Sequence, residues 1–370
     1  MKKRSTRPSL FENLRRRSLA AGRAPGSPVY VGPEGQGPVK IEMIAYDASG
    51  AEVSTATSLT QCACFDEGSK VTWVNIGGLQ DMEVNKQAGD VFKLHPLVLE
   101  DIVNTGQRPK MEELRDGGLF IVAKTLEYDE KERTVTQEQV SFVLGKHYLL
   151  TFLEHPGCDV FEDVRKRLLS QKGKIGALGP DYLLYALLDA VVDHYFVALE
   201  RMGEDIEEIE EMLLSRPKPA NLEALHNLRR EALFLRRQIF PMREVVAGLE
   251  KSGLELISEN TSYYLRDLYD HTIQVMDTVE TFRDMLNGMV ELYLSNISLK
   301  MDEIMKVLAM FTSFFTPLAF LTGLYGMNFK YIPELDIRYG YFYLLGVMGV
   351  IALGMLFFFR RKGWIGNSGK

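Results

Sequence analysis

The sequence predicts an α+β membrane protein: an N-terminal cytoplasmic α/β domain, a long helical stalk and two C-terminal transmembrane helices. Three observations lead there. Between residues 28 and 158, short β-branched and aromatic runs alternate with stretches of helical spacing. From Asp159 onward the strand signals stop, and after Gly253 no helix breaker appears until Pro317. Two uncharged runs, 307–325 and 340–359, each have about the ~20 residues a helix needs to cross the hydrocarbon core of a bilayer.

Composition narrows the function. The 370 residues suffice for two domains, and a formal charge of −7 argues against nucleic acid as a partner. Charge is unevenly spread. Residues 1–27 hold Lys2, Lys3, Arg4, Arg7, Arg15, Arg16, Arg17 and Arg23 against Glu12. Such a run can meet anionic lipid or RNA, but with Pro8, Gly22, Pro25 and Gly26 among polar residues it reads as a disordered tail. No apolar core follows it, so it is not read as a secretory signal. Cys62, Cys64 and Cys158 supply neither a disulfide framework nor zinc-type spacing, which suits a reduced cytosolic domain. Arg360, Arg361 and Lys362 follow the second apolar run, and Lys300 and Lys306 border the first. The positive-inside rule then puts both termini in the cytoplasm and the loop between the runs outside.

Taken in order, residues 28–158 form the α/β domain, with strands at 71–76, 119–126, 139–144 and 148–152 and helices at 81–92 and 95–103. Residues 159–252 form a helical hairpin region. Its first helix, 181–214, carries Glu200, Glu204, Asp205, Glu207, Glu208, Glu210 and Glu211. Arg216-Pro217-Lys218-Pro219 breaks it, and a return at 221–249 carries Arg229, Arg230, Arg236, Arg237 and Arg243. Opposite charges on solvated faces of an antiparallel pair explain most of these; the acidic face would also shape the field near a cation entrance. Residues 253–325 read as one stalk helix continuing into the first span. Leu265, Leu268, Val275, Val279, Phe282, Leu286, Met289, Tyr293 and Ile297 recur at close to 3.5-residue spacing, a seam for partner helices. Unbroken, that helix is roughly 110 Å long. Residues 326–339 form the outer loop, with Lys330, Glu334, Asp336 and Arg338 at its tip; 340–359 form the second span and 360–370 a basic cytoplasmic tail.

Steps of three or four residues from Asp302 pass through Met305, Leu308 or Ala309, Thr312, Thr316, Ala319 and Gly323. The stripe is small or weakly polar, while Phe311, Phe314, Phe315, Leu318, Phe320 and Leu321 fill the other side. Small residues and threonines serve close helix packing in membranes. They serve equally as the wall of a narrow aqueous path, and the spacing alone leaves both readings open.

Tyr325-Gly326-Met327-Asn328, closing the first of two C-terminal spans, resembles the signature of the CorA-type magnesium/cobalt transporter family. His95-Pro96-Leu97-Val98-Leu99-Glu100-Asp101, Gln107-Arg108-Pro109-Lys110, Asp181-Tyr182-Leu183-Leu184-Tyr185, Tyr269-Asp270-His271-Thr272-Ile273-Gln274 and Val279-Glu280-Thr281-Phe282-Arg283-Asp284 are also similar to stretches of that family, in its order. The likeness covers about 91–364. It implies a funnel-shaped homopentamer in the plasma (inner) membrane whose five stalks continue into a pore. Magnesium is then both the transported ion, with cobalt or nickel beside it, and the regulatory one, with no organic cofactor. Gly326, Met327 and Asn328 become the selectivity filter, five Asn328 amides binding a still-hydrated ion. Asp302, Met305, Leu308, Thr312, Thr316, Ala319 and Gly323 become the pore lining, with Met305 and Leu308 as an apolar gate. Met327 is expected to pack and hold the turn. Asp101 and Asp267 match acidic residues that bind magnesium between subunits and hold the pore shut.

Two positions depart from the family pattern. Asp302 stands where asparagine is familiar, and Thr316 where methionine is. An Asp302 ring would attract cations at the inner end; Thr316 widens one constriction and removes an apolar ring. His95, His147, His155, His194, His226 and His271 show no ligand spacing and read as structural. No phosphate loop, nucleophile elbow or zinc motif appears, so an enzyme is not expected. A zinc transporter of the same superfamily, coupled to protons, is an alternative, as is a membrane-anchored coiled-coil scaffold without a pore.

Overall fold

A computed structural model describes residues 26, 30, 32, 37–56, 58–62, 70–157, 160–215, 219–328, 330, 332–333 and 337–365. The basic tail, apart from Gly26, lies outside these residues, as do Glu334, Asp336 and all three cysteine side chains. Two compact units meet in sequence between Met289 and Val290.

The first unit is built on a seven-stranded sheet: β1 (Lys40–Asp47), β2 (Gly50–Ala56), β3 (Val71–Gly77), β4 (Lys110–Glu113), β5 (Leu119–Asp129), β6 (Thr134–Leu144) and β7 (Tyr148–Leu153). Their order is β2-β1-β3-β7-β6-β5-β4. Only the β3–β7 pair is parallel, since the helices α1 (Met82–Phe92) and α2 (Pro96–Val103) and the strands β4–β6 come between those strands in the chain. The first eight residues of β5 are all buried, the pattern of a central strand covered on both faces. On one face Phe92, Val98 and Ile102 of α1 and α2 pack with Val74, Ile76, Phe120, Val122 and Val143. On the sheet's other side a short helix, α3 (Glu162–Leu169), is anchored by Phe161 beneath Trp73 and Phe142.

The expected strands and the two early helices are present. β1, β2, β4 and α3 were not expected. β1 and β2 are joined by a turn in which the Asp47 carboxylate accepts from Ser49 Oγ, Ser49 N and Gly50 N, and these bonds, the hydroxyl's first, lower its pKa. The β5–β6 hairpin extends beyond the expected strands because its tip is clamped. Arg133, at φ 49°, pairs with Asp205 and Glu208; Tyr128 Oη donates to Asp205 Oδ2, and Glu231 accepts from Val135 N.

Two of those acids lie on α4 (Pro180–Ser215), and α5 (Pro219–Lys251) follows. The acidic run and the arginines of the return helix are expected on the solvated faces of an antiparallel pair. Asp205 and Glu208 instead face the hairpin's Arg133, while Arg236 of α5 pairs with Glu280 of α6 (Glu259–Tyr325). Glu200, Glu204, Glu207 and Glu211 are exposed, as a solvated face requires.

The stalk helix starts six residues later than expected. Gly253 takes φ 57° and ends α5. Ser258 then caps α6: its Oγ accepts from Thr261 N at 3.3 Å, and its own N–H donates to Asp181 Oδ2 at 2.9 Å. The seam also has a different partner from the one expected. Leu265, Leu268, Val275, Val279, Leu286 and Met289 are buried within the single chain, so this part needs no second copy to cover it.

The second unit holds the rest of α6 and the helix α7 (Gly340–Arg361). Among the described residues three helices are long and apolar enough to cross a membrane: α4, α6 and α7. The most apolar stretch of α4 is 61% buried, so its hydrophobicity serves the protein core. The stretches in α6 and α7 are 0% and 6% buried. A naked apolar surface of that extent belongs in lipid or against other copies.

Candidate ion path and cytoplasmic acidic sites

Over 300–325 of α6 the half-buried positions are Lys306, Met310, Phe314, Pro317, Leu318, Leu321 and Tyr325. On α7 they are Gly340, Leu344, Met348, Ile351, Ala352 and Met355, with Phe359 buried. Both sets recur every three or four residues, as expected of helices that shelter each other. At one end the Lys306 ammonium sits 6.0 Å above the Trp364 ring, which stacks on Phe359.

Asp302, Met305, Leu308, Thr312, Thr316, Ala319 and Gly323 all lie outside that sheltered stripe and are exposed in the single chain. The chain therefore leaves this face available, although Phe311, Phe315 and Phe320 are exposed as well. Thr316 Oγ1 donates to the Thr312 carbonyl at 2.6 Å, turning its lone pairs outward from the helix. Pro317 has no N–H, so the carbonyl of Ser313 loses its usual donor one turn later. Hydroxyl and carbonyl oxygens thus come together at one level of an otherwise apolar helix.

The helix ends as the Gly-Met-Asn spacing requires. Gly326 N donates to the Thr322 carbonyl at 3.0 Å and Met327 N to Leu324 at 3.4 Å. A Cβ on Gly326 would stand 3.0 Å from the Thr322 carbonyl oxygen, a tight approach that glycine avoids. At Gly323 nothing lies within 4 Å of such a Cβ. Met327, expected to pack and hold the turn, is 47% exposed in the single chain, and Asn328 is exposed beside it.

The two acids singled out in the first unit have contrasting surroundings. Asp101, near the end of α2, is engaged at both oxygens: Gln107 Nε2 donates to Oδ1, and Lys110 Nζ reaches Oδ2 at 2.5 Å. The same ammonium is 2.6 Å from Glu112. Partial burial works against that charge, but the two carboxylates outweigh it and hold the Lys110 pKa above the ordinary lysine value. Asp267, on α6, is 65% exposed, with His271 Nε2 4.0 Å away. Carboxylate oxygens are donors that magnesium accepts. Among the described residues of one chain, however, no three His, Cys, Asp or Glu side chains converge on a metal position. Each carboxylate by itself offers the oxygen chemistry that suits magnesium.

Comparison with known proteins decides the family. Residues 68–361 match the family described as CorA-like Mg2+ transporter protein. The chain belongs to that family. A CorA-like relative in Thermotoga maritima, named cobalt/magnesium transport protein CorA, is 43% identical over 95% of this chain and 99% of its own. A protein of the same name in Methanocaldococcus jannaschii is 27% identical over 81% of this chain and 93% of its own. The complete structure of the CorA magnesium transporter from Methanocaldococcus jannaschii matches with a TM-score of 0.71 at 25% identity, covering 87% of this chain and 98% of that one. CorA-like proteins are transporters, so this chain is not an enzyme.

Sequence reasoning passed over the residues that fix Asp101 in place. Gln139 Nε2 donates to the carbonyls of Asp101 and Ile102, at 3.1 Å each. Lys124 Nζ donates to the Thr105 carbonyl at 2.7 Å and to Gln139 Oε1 at 2.9 Å. Together they satisfy carbonyls at the C-terminal end of α2 that the helix cannot satisfy itself. Lys124 is 1% exposed. Nearby Glu154 has its pKa raised by burial, partly offset by the Lys124 ammonium. The one signal available was a lysine and a glutamine at core-facing positions of apolar strands.

Proposed function

We propose that the chain assembles around an axis, as a homopentamer in the plasma (inner) membrane with both termini cytoplasmic, and conducts magnesium inward. Cobalt and nickel are secondary substrates. The observation that carries this reading is the exposed Asp302-to-Gly323 face of α6, ending directly in Gly326-Met327-Asn328. Exposed Leu294, Ile297, Leu299, Met301 and Ile304 support assembly, because apolar side chains outside a span call for covering by other copies.

In this reading magnesium arrives with its waters, which it releases reluctantly. Asn328 amide oxygens accept from those waters at the outer mouth, without the tight grip of carboxylates. Gly326 lets the backbone turn so that the amides reach the axis. Thr312 and Thr316 hydroxyls continue the neutral oxygen path, and Met305 and Leu308 form the apolar constriction that closes by dewetting. With Thr316 in place of an apolar residue, that constriction lies at 305–308 alone. Asp302 draws cations to the inner end. Asp101 and Asp267 of neighbouring subunits take up internal magnesium and bias the assembly toward its closed state, a shift in population driven by differential binding.

The test is divalent flux in proteoliposomes with and without a pH gradient. Magnesium uptake independent of the gradient supports the reading; zinc uptake that requires it would replace it with proton-coupled zinc transport. Removing both Asp101 and Asp267 carboxylates is expected to leave flux insensitive to millimolar internal magnesium, and retained inhibition contradicts the regulatory part.

A further inference from the structure

We propose that the Lys110 ammonium is a built-in competitor of the regulatory divalent cation at Asp101, and so sets the internal concentration at which the transporter closes. This deepens the regulatory reading above and rests on it. Lys110 opens β4, an edge strand, and its side chain is 27% exposed against 20% for Asp101. The ammonium lies on Asp101 Oδ2 at 2.5 Å, on Glu112 Oε1 at 2.6 Å, and 5.8 Å above the Phe120 ring.

The carboxylate has little freedom to turn away from it. Gln107 holds Oδ1, and the backbone at Asp101 and Ile102 is pinned by Gln139, itself braced by Lys124. A divalent cation approaching Asp101 therefore meets an oxygen already neutralised by a tethered positive charge. It must displace that charge before it gains the full attraction of the carboxylate. Glu112 gives the displaced ammonium a second resting place close by, so it remains at high local concentration and returns when the cation leaves.

A merely structural lysine makes the opposite prediction. If Lys110 only held Asp101 in position, its loss would misplace a ligand and weaken binding of the cation. If it competes, its loss strengthens binding. The sign of the change separates the two.

The experiment uses full-length protein with magnesium as the probe and two readouts: internal magnesium for half-closure of flux in proteoliposomes, and magnesium-induced thermal stabilisation in detergent. Lys110→Gln is expected to lower the midpoint of both by about three- to fivefold, the worth of a partly exposed ion pair. Lys110→Arg, which keeps the charge, stays within about twofold of the parent. Glu112→Gln raises both midpoints, because the ammonium loses its alternative partner. An unchanged or higher midpoint in Lys110→Gln overturns the proposal; if that variant does not assemble, an unchanged or lower midpoint in Glu112→Gln does so. Asp101→Asn separates the two levels. Loss of the magnesium response in Asp101→Asn upholds the underlying site whatever Lys110 does. A parental response there ends both.

Discussion

Replacing Asp189 with asparagine is expected to stabilise the first unit at neutral pH and to leave it unchanged in acid. Asp189 lies on α4 facing His271 of α6, whose Nδ1 is 4.0 Å away, too far for a hydrogen bond. That Nδ1 has no hydrogen-bond partner among the described residues. Burial, then the neighbouring Asp193, push the Asp189 pKa up from 3.8 to about 6; His271 and Arg167 only partly offset this, and Asp267 adds to it. Below about pH 4 the carboxyl is protonated in both folded and unfolded chains, and its charge costs nothing. Between about pH 4 and pH 6 the folded chain binds more protons than the unfolded one, so stability falls as pH rises. Above pH 6 the full penalty stands. Two pKa units correspond to about 3 kcal/mol, and solvent screening at this partly open position reduces that to about 1–2 kcal/mol. For a unit of this size the gain in Asp189→Asn is a rise of about 3–6 °C in Tm at pH 7.5, vanishing near pH 4. Thermal unfolding in detergent with a chelator present measures it. A variant less stable than the parent at pH 7.5, or equally stabilised at pH 4 and 7.5, refutes the reasoning.

Lys124→Met removes the donor to Thr105 and Gln139 in a fully buried place and is expected to cost about 2–3 kcal/mol, read by thermal unfolding. Gly326→Val drives a branched side chain into the Thr322 carbonyl; flux is lost while the oligomer still forms, as size-exclusion chromatography would show. If Asp302 side chains of several copies draw cations to the inner end, as proposed, Asp302→Asn is expected to lower both inward conductance and block by internal cations; unchanged values would dismiss that role.

Much of this molecule can be read from its sequence, because membrane spans and glycine-asparagine turns are local signals. The uncharged runs 307–325 and 340–359 map onto the end of α6 and onto α7, and β3 and β5–β7 declare themselves by β-branched and aromatic runs. Failures have physical causes. The strand β2 is mostly exposed and β4 is short and charged, so neither shows hydrophobic alternation. Helix α3 is short and mostly polar, with Val164 and Leu168 as its buried apolar positions beside Phe161. The start of α6 is set by the Ser258 cap, beyond the break at Gly253 that the sequence reading takes as the boundary. The partner of the Leu265–Met289 seam could not be read, because a heptad-like pattern is the same whether the covering helix belongs to the same chain or another. At the candidate site, single acids such as Asp101 are visible in sequence. Lys110 and Gln107, which engage it, depend on a turn between α2 and β4 that only the fold defines.

The proposed ion path depends on Asn328 amides that handle a hydrated divalent ion where α6 ends. Magnesium influx into proteoliposomes, compared between the parent and Asn328→Ala at equal amounts of assembled protein, tests it most directly. Rapid influx is expected for the parent and near-background influx for the variant. Equal influx in both, or a well-assembled parent impermeable to every divalent cation, would contradict it.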